Sequence, residues 1–234
     1  MDKDIIFDTL LFISPKKLSI SVFKKSNLEK IYLNEVLIND DSNQINFDKL
    51  NNFLDNNINK IEKISKKFIK SIYLIIDYND FLNVQLSIKK NNYGDLLTSN
   101  ILTYALNEAK DQCKETFHKR RIIHFLINNY IIDEEYYSQL PNNKRCKNFS
   151  LDLKFICLSE NLIKILEQTL KRYQISLNRI ISADYIKDFF QSDKEDIFNL
   201  SMKIIGGCNE NEISLVNKNT QNKGFFEKFF NFFS

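Results

Sequence analysis

Residues that bend the backbone or bring it close to a ligand are rare in this sequence. Of 234 residues, four are glycine and two are proline, and tryptophan is absent. Phosphate-binding loops depend on glycine, because a residue without a side chain lets backbone N–H groups approach the phosphate. The four glycines form no such loop, and we therefore expect a protein that binds no nucleotide and carries no cofactor.

Metal-binding and nucleophilic side chains are also sparse. The four cysteines match neither a paired zinc motif nor a disulfide framework. They are Cys113, Cys146, Cys157 and Cys208. His118 and His124 lie near Cys113 in sequence, but neither helical nor strand geometry places these three side chains around one ion. We expect buried or incidental thiols, packed or solvated histidines, no metal site and no catalytic residue.

Long apolar runs are missing as well. No stretch approaches the roughly 18 to 20 apolar residues of a membrane-spanning helix, and the first residues lack the cationic region and apolar core of a secretory signal. The composition is 43% hydrophobic and 27% charged, with a formal net charge of +3, which is typical of folded globular proteins. The sequence therefore predicts a cytoplasmic protein with one large domain or two small ones.

Charged clusters occur at three places. The basic segments Lys119–Arg121 and Lys144–Lys147 could form one patch. No aromatic residues are interleaved with them and the overall charge is nearly balanced, so a nucleic-acid surface is not predicted. The acidic run Asp133–Glu135 could hold a cation or act as an acid–base pair, and an exposed acidic turn is the favoured interpretation.

The spacing of apolar residues predicts strands and helices in alternation. Three β-rich segments form a predicted meander at the start of the chain. They are Ile5 to Ile13, Leu18 to Lys24 and Lys30 to Ile38. Apolar residues then recur every three or four positions from Phe47 to Phe68, which is typical of an amphipathic helix of five or six turns. Ile72 to Ile76 and Val84 to Ile88 are predicted strands.

The second half of the chain continues this alternation. A helix is predicted from Leu96 to Cys113, with Tyr104 among its apolar positions, and Arg121 to Ile132 and Phe149 to Leu158 form a predicted hairpin. A third helix and a last strand follow, over residues 162–173 and 175–181. Beyond them we expect short helices over 185–190 and 197–205, and one strand or none over 212–216. This order predicts an α/β or α+β protein.

The carboxyl-terminal tail has the strongest amphipathic pattern. Six of the chain's twenty phenylalanines fall within nine residues, after a linker over 217–223 that has no apolar side chain. They are Phe225, Phe226, Phe229, Phe230, Phe232 and Phe233. On a helix the rings occupy an arc of about 160°. The helix would be about 15 Å long, too short to span a bilayer but long enough to lie in its interface.

Lysines complete the predicted membrane site. Lys223 and Lys228 join the six rings as predicted membrane-binding residues, because anionic headgroups attract positive charge. One tail is a marginal anchor, since the cost of ordering it offsets much of the gain from burying its rings, whereas several tails on one polymer would bind strongly. Two alternatives stay open: the helix packs on the protein's own core, or its rings dock into a partner's groove.

The order and spacing of the elements from Ile72 to about Asp184 resemble a known arrangement. Its parts are a strand, a helix, two further strands, and a helix and strand that return to the first domain. They correspond to Ser71 to Ile76, Leu97 to Lys114, Arg121 to Asp133, Asp152 to Cys157 and Asn161 to Ile180. In this order the chain resembles the bacterial actin-like cell-division protein FtsA, and the tail is similar to that family's membrane-targeting helix.

The resemblance implies a partial actin-like (ribonuclease H-like) domain with an inserted strand-helix-strand-strand (SHS2) subdomain and a C-terminal amphipathic helix. The implied ranges are 1–77 and 175–216 for the actin-like domain, 78–174 for the inserted subdomain, 217–223 for the linker and 224–234 for the helix. It also implies a non-enzymatic adaptor at the cytoplasmic face of the inner membrane and the division septum. Such a protein would bind FtsZ or septal proteins, self-associate and contact lipid peripherally.

The sequence also departs from the family. Phe12 to Lys17 has neither the glycine nor the acid of the family's first phosphate turn, and Gly206-Gly207 lacks the flanking acid of the second. Only about 35 residues separate Phe190 from the tail, so we expect a reduced, nucleotide-free form without the second half of the fold. One alternative is a pilus or secretion assembly protein with an actin-like fold, although the amphipathic tail favours division. The other is a degenerate actin-like ATPase.

Overall fold

The described part of the chain contains nine strands and five helices. A computed structural model describes residues 6–39, 42–141, 143–191 and 194–213. The strands are β1 (Phe7–Ile13), β2 (Lys17–Lys24), β3 (Lys30–Leu37), β4 (Ser71–Ile76), β5 (Leu82–Asn91), β6 (Arg120–Ile132), β7 (Glu135–Tyr137), β8 (Asn148–Ser159) and β9 (Ser176–Ser182). The helices are α1 (Phe47–Ser65), α2 (Ser99–Thr116), α3 (Glu160–Lys171), α4 (Ala183–Phe189) and α5 (Ile197–Ile205).

Contacts divide the described residues into two compact units. Unit 1 runs to Asp80 and resumes over Asn161–Ile205, whereas unit 2 consists of Phe81–Glu160 and the described residues from Gly206 onward. Unit 1 therefore includes nearly all of α3, which the sequence-based ranges assign to the inserted subdomain. Just after α3, the Tyr173 hydroxyl donates to Asp55 on α1, with 2.7 Å between the two oxygens, which ties this helix end to unit 1.

Unit 1 is built on a five-stranded sheet with the order β3-β2-β1-β4-β9. The first three strands form the predicted antiparallel meander, and β4 and β9 join it in parallel with β1. β1 and β2 are buried almost without interruption, because both faces of the sheet are covered there.

Helix α1 covers one face of this sheet, where it contacts β2 and β3. It begins at the N-cap Asn46, whose side chain accepts a hydrogen bond from the Lys49 N–H at 3.0 Å. Its buried stripe carries most of the predicted apolar residues and two polar residues, Asn57 and Ser65. The Asn57 side-chain oxygen accepts hydrogen bonds from the Tyr32 hydroxyl and the Asn34 amide, both at 2.7 Å, so this buried amide links α1 to β3.

The end of α1 differs from the prediction. The apolar spacing extended the buried face through Ile64 to Phe68, and this is wrong: Ile64 is 50% exposed and Phe68 is 80% exposed. The helix stops at Ser65, and Lys66 adopts a left-handed conformation with φ of 56°. A left-handed residue turns the chain away from the helix axis. The spacing of three or four residues therefore no longer places Phe68 over the sheet.

Unit 2 is built on a four-stranded antiparallel sheet with the order β5-β8-β6-β7. The predicted pairing of its two long strands is confirmed by the register of β6 with β8. The three residues of β7 were missed, because a strand this short shows no measurable period. It returns along β6 after a tight turn, so that Ile132 pairs with Glu135.

Helix α2 contacts β5 and β6 of this sheet and completes the core of unit 2. Phe125 and Phe155 are fully buried and stack with their ring centroids 4.3 Å apart. The helix contributes small buried residues, Ala105 and Ala109, which let it lie close to the strands. Tyr104 was predicted on the apolar side of α2, but it is 79% exposed because it lies beside this stripe rather than on it.

The segment after α5 joins unit 2 through the edge of β6. Glu212 forms an isolated bridge with Leu126, the Ile127 N–H donates to Asn211, and the Ile213 N–H donates to Phe125. The sequence-based ranges assign this segment to the actin-like domain. These hydrogen bonds instead place its described residues in unit 2, where they extend the edge that β7 covers.

Among the described residues, none of the helices is both long enough and apolar enough to cross a lipid bilayer.

Candidate functional site

The turn between β1 and β2 occupies the place where the resemblance expects a phosphate loop. The Ser14 N–H donates to the Lys17 carbonyl at 2.9 Å, and the Lys17 N–H donates to the Ser14 hydroxyl at 2.9 Å. Pro15 has no N–H to offer. Three of the four residues in this turn therefore have no N–H available for a phosphate, and no glycine opens the turn to one.

The second candidate phosphate turn, Gly206-Gly207, terminates a helix. Helix α5 ends at Ile205, and Gly207 has φ of 80°. A glycine in the left-handed region just after a helix is the usual way to end it, because the conformation costs no side-chain clash. The predicted short helix over 197–205 is confirmed, with the same end.

The acidic run after β6 is a hydrogen-bonded turn. Asp133 and Glu134 have φ of 47° and 72° and connect β6 to β7. The Asp133 carboxylate accepts from the N–H groups of Asn148 and Lys147, both at 2.9 Å. These bonds lower the pKa of Asp133, with the bond from Asn148 the largest cause. This carboxylate therefore holds the loop before β8 in place, and its exposed position agrees with the predicted acidic turn.

The two basic segments lie at opposite ends of the sheet of unit 2. Arg120 pairs with Ser159 at the end of β8, whereas Lys144–Lys147 lies just before β8 begins at Asn148. Twelve strand residues at about 3.3 Å each separate them by about 35 to 40 Å. The structure therefore does not bring these segments together into one basic patch.

The histidines and cysteines do not surround one ion. His118 is exposed after α2, and Cys113 is buried and hydrogen-bonded to Cys157. Burial raises the pKa of the Cys157 thiol to about 12, so this sulfur stays protonated near neutral pH. Cys146 is buried as well, and Cys208 is exposed. Over residues 6–39, 42–141, 143–191 and 194–213, no three potential metal ligands cluster.

One buried polar pair was not foreseen from the sequence. His124 Nδ1 lies 2.7 Å from Glu212 Oε1, and both side chains are almost completely buried. The pair fastens the segment after α5 to β6. Eighty-eight residues separate the two positions, so no local pattern could have predicted their contact.

The sheet of unit 2 carries a row of hydrogen-bonded polar side chains on the face away from the core. The Ser87 hydroxyl donates to Asp152 Oδ1 at 2.6 Å, and the Asn129 amide donates to the other carboxylate oxygen at 3.4 Å. A serine nucleophile needs an oriented base, usually a histidine. The two histidines are placed elsewhere, as described above. Among the described residues, the hydrogen bond of the Ser87 hydroxyl therefore goes to a carboxylate and not to a histidine.

The predicted membrane-binding residues lie outside the described part of the chain. They are Lys223, Phe225, Phe226, Lys228, Phe229, Phe230, Phe232 and Phe233. Their assignment remains a prediction from the sequence pattern.

Comparison with known proteins finds similarity in structure only. No family model matches the sequence, and no curated protein matches it. A chain from the PilM–PilN type IV pilus biogenesis complex matches with a TM-score of 0.50 and 7% identity, over 78% of this chain and 49% of that chain.

Two further solved structures match with lower scores. The cytoplasmic domain of EpsL, an inner membrane component of the type II secretion system of Vibrio cholerae, has a TM-score of 0.39 and 11% identity, over 77% of this chain and 59% of that one. A protein of unknown function with an actin-like ATPase fold from Bacteroides thetaiotaomicron has a TM-score of 0.33 and 14% identity, over 81% of this chain and 58% of that one.

The chain has the predicted mixed α/β fold, and that fold is similar to the fold of a chain from the PilM–PilN complex. It spans about half to three-fifths of the length of the three solved chains. At these identities the likeness shows the fold alone.

Proposed function

We propose that this protein is a non-enzymatic adaptor that uses an actin-like body to hold a partner at a membrane, in an assembly of the pilus or secretion type. The observation that carries the proposal is the match in fold to a chain from the PilM–PilN type IV pilus biogenesis complex, at a TM-score of 0.50. This observation favours the pilus or secretion alternative over the division adaptor that the sequence resembles.

The β1–β2 turn supports the non-enzymatic part of the proposal. Its internal hydrogen bonds between Ser14 and Lys17 occupy the groups that would otherwise face a phosphate. Isothermal titration calorimetry with ATP and Mg²⁺ tests this: we expect no heat of binding. A clear saturable heat would instead support the degenerate ATPase.

The amphipathic tail supports the membrane part. Charges on its apolar face should abolish insertion, because burying a carboxylate among acyl chains costs several kcal/mol. We expect Phe226→Glu with Phe230→Glu to release the protein from anionic vesicles, measured by co-sedimentation. Asn231→Glu places a charge on the polar face of the predicted helix and should leave most of the binding intact. If the double variant sediments like the wild type, the tail is not the anchor.

Unit 2 supports the partner-binding part. We propose that it is the counterpart of the inserted SHS2 subdomain of actin-like division proteins and that it makes the protein contacts. Its strand β5 has ten residues and lies at an edge of the sheet, with exposed polar side chains such as Asn83 and Gln85. An edge strand offers backbone groups to which a partner strand can bond.

A division adaptor of the FtsA type is the second candidate. The feature that favours it is the amphipathic tail after a polar linker, which resembles that family's membrane-targeting helix. A fluorescent fusion to the chain distinguishes the two assemblies inside the cell. We expect patches in the envelope away from midcell, whereas bands at midcell would support the division role.

A further inference from the structure

A leucine occupies a strained position in the turn between β2 and β3. Leu28 has φ of 56°, and its side chain is 56% exposed. Its N–H donates to the Lys24 carbonyl at 2.9 Å, which holds the residue in this left-handed position. Glycine or asparagine normally fills such positions, because a branched side chain there clashes with the backbone. The fold therefore gains nothing evident from a leucine at this site.

A second apolar group is exposed after the end of α1. Phe68 is the most exposed phenylalanine among the described residues, at 80%, and Ile64 on the last turn is half exposed. The neighbouring Ile61 and Ile69 are buried and hold the segment against the unit. Phe68 therefore projects from an anchored backbone.

The topology of the five-stranded sheet places these groups at the same end of unit 1. β2 runs antiparallel to β1, and β4 runs parallel to β1. The end of β2 and the start of β4 therefore lie at the same end of the sheet. The Leu28 turn follows β2. Only five residues connect the end of α1 to β4, and such a segment spans at most about 17 Å. Leu28, Ile64 and Phe68 therefore share one end of the unit, here named the basic end.

The basic end has a strong excess of positive charge. Residues 24–29 and 60–70, which define it, contain seven lysines and two glutamates. The lysines are Lys24, Lys25, Lys60, Lys63, Lys66, Lys67 and Lys70. Both glutamates are engaged: Glu29 pairs with Lys24 at 2.6 Å, and Glu62 accepts a hydrogen bond from the Ile69 N–H. Asp8, beside this end, pairs with Lys25 at 3.0 Å.

We propose that the basic end is a second membrane contact, at which Leu28 and Phe68 enter the interface of an anionic bilayer and the lysines bind its headgroups. The proposal rests on the membrane attachment proposed above and adds a contact on the folded body. The excess of lysines is complementary to an anionic lipid surface, where each contributes to binding. A side chain that is 80% exposed lies in no groove of its own and fits a soft, flat surface that can close around it.

The contact gives a physical reason for the strained leucine. A left-handed turn residue is a rigid, protruding position, and only an apolar side chain there gains from entering lipid. The contact also strengthens a marginal tail. Once the tail is bound, the basic end binds as an intramolecular event at high effective concentration.

Leu28→Gly separates the effect of this position on folding from its effect on membrane binding. Glycine relieves the strained conformation, so we expect the melting temperature to be unchanged or slightly raised. Removing the interfacial side chain should weaken partitioning of the full chain into phosphatidylglycerol vesicles about fivefold. Phe68→Ser should have a similar effect, and the double variant should lose about 30-fold. A double variant that partitions like the wild type overturns the proposal.

The matched control is Leu37→Ser. Leu37 is also an exposed leucine of unit 1, at the opposite end of β3, and its replacement should leave vesicle binding unchanged. Equal losses for Leu37→Ser and Phe68→Ser would overturn the assignment to the basic end. So would a double variant that changes only the oligomeric state in light scattering, since that surface would then bind protein.

The tail variant distinguishes failure of this contact from failure of the proposed anchor. If Phe226→Glu with Phe230→Glu releases the protein and Leu28→Gly with Phe68→Ser does not, the tail anchor stands and the basic end is overturned. If only the basic-end variant loses binding, the body contact stands and the tail anchor fails. If both double variants lose binding to phosphatidylglycerol vesicles, both contacts are supported. This loss should be absent with phosphatidylcholine vesicles, which carry no net charge.

Discussion

The two units of this protein bury their sheets in different ways. In unit 1 the central strands are parallel or in a meander and are covered on both faces, so β1 and β2 are nearly continuous apolar runs. In unit 2 all strands are antiparallel, and β8 alternates buried and half-buried residues along most of its length. A sheet that is covered on both faces exposes only its edges and turns to a partner. A sheet that is covered on one face also exposes a polar face.

The difference locates the surfaces that each unit offers. Unit 1 presents turns and a helix end, where Leu28 and Phe68 are exposed. Unit 2 presents the Ser87–Asp152 row and the long edge of β5. We therefore expect substitutions in the two units to affect different properties: membrane contact for unit 1 and partner contact for unit 2.

The largest effect should come from the core of unit 2. Phe155→Ala removes a fully buried ring that stacks on Phe125, and it should lower the free energy of unfolding by about 3 to 5 kcal/mol. Hydrogen exchange should show amides of β8 losing protection while those of β4 keep theirs. Leu74→Ala, in the core of unit 1, should give the reverse pattern. If either substitution lowers protection equally in both strands, the two units unfold as one.

A smaller effect should follow when the buried pair on β6 is broken. Glu212→Ala leaves His124 buried without this acceptor, and it should cost about 1 to 3 kcal/mol. The amide of Ile127, which bonds to Asn211, should then exchange faster. Glu210→Ala, at an exposed neighbouring position, should have little effect. If the two variants exchange alike, the pair does not hold the segment.

The smallest effect concerns alkaline pH. Burial raises the pKa of Tyr130 in unit 2 to about 12, against about 10 in the unfolded chain. Above pH 10 the unfolded state binds fewer protons than the folded state, so this tyrosine makes stability fall as the pH rises towards 12. At pH 11 the free energy of unfolding should therefore be about 1 kcal/mol higher for Tyr130→Phe than for the wild type.

Urea titrations from neutral pH to pH 11 test this prediction. At neutral pH the Tyr130→Phe variant should be close to the wild type, since both rings fill the same space. Tyr136→Phe, at an exposed position of the same unit, should follow the wild type at every pH. A parallel decline for wild type and Tyr130→Phe would show that the hydroxyl of Tyr130 already reaches water.

Local patterns predicted most elements of the fold but failed where the chain leaves an element. The spacing of apolar residues continues past Ser65, yet the left-handed Lys66 ends α1 and exposes Phe68. The same spacing placed Tyr104 inside, although the buried stripe runs beside it through Leu102 and Ala105. Periodicity reports which residues could share a face. It does not report where a cap interrupts the helix or which of two adjacent stripes meets the sheet.

Some features of the candidate sites were predictable from local patterns, and others were not. The missing glycines in the β1–β2 turn and the ring-rich tail are visible in the sequence, because each is a property of consecutive residues. The buried His124–Glu212 pair, the Asn57 bonds and the basic end all join segments that are far apart in the chain. No pattern within one segment specifies such partners.

The sequence by itself determined the order of strands and helices, the mixed α/β class and the lack of a glycine-rich phosphate loop, because short-range sterics and apolar spacing act within each segment. Only the tertiary structure decided that β4 lies beside β1, that the residues after Gly206 join unit 2, and that Leu28 and Phe68 share one end. These choices depend on which surfaces bury each other at the lowest free energy, and that is a property of the whole fold.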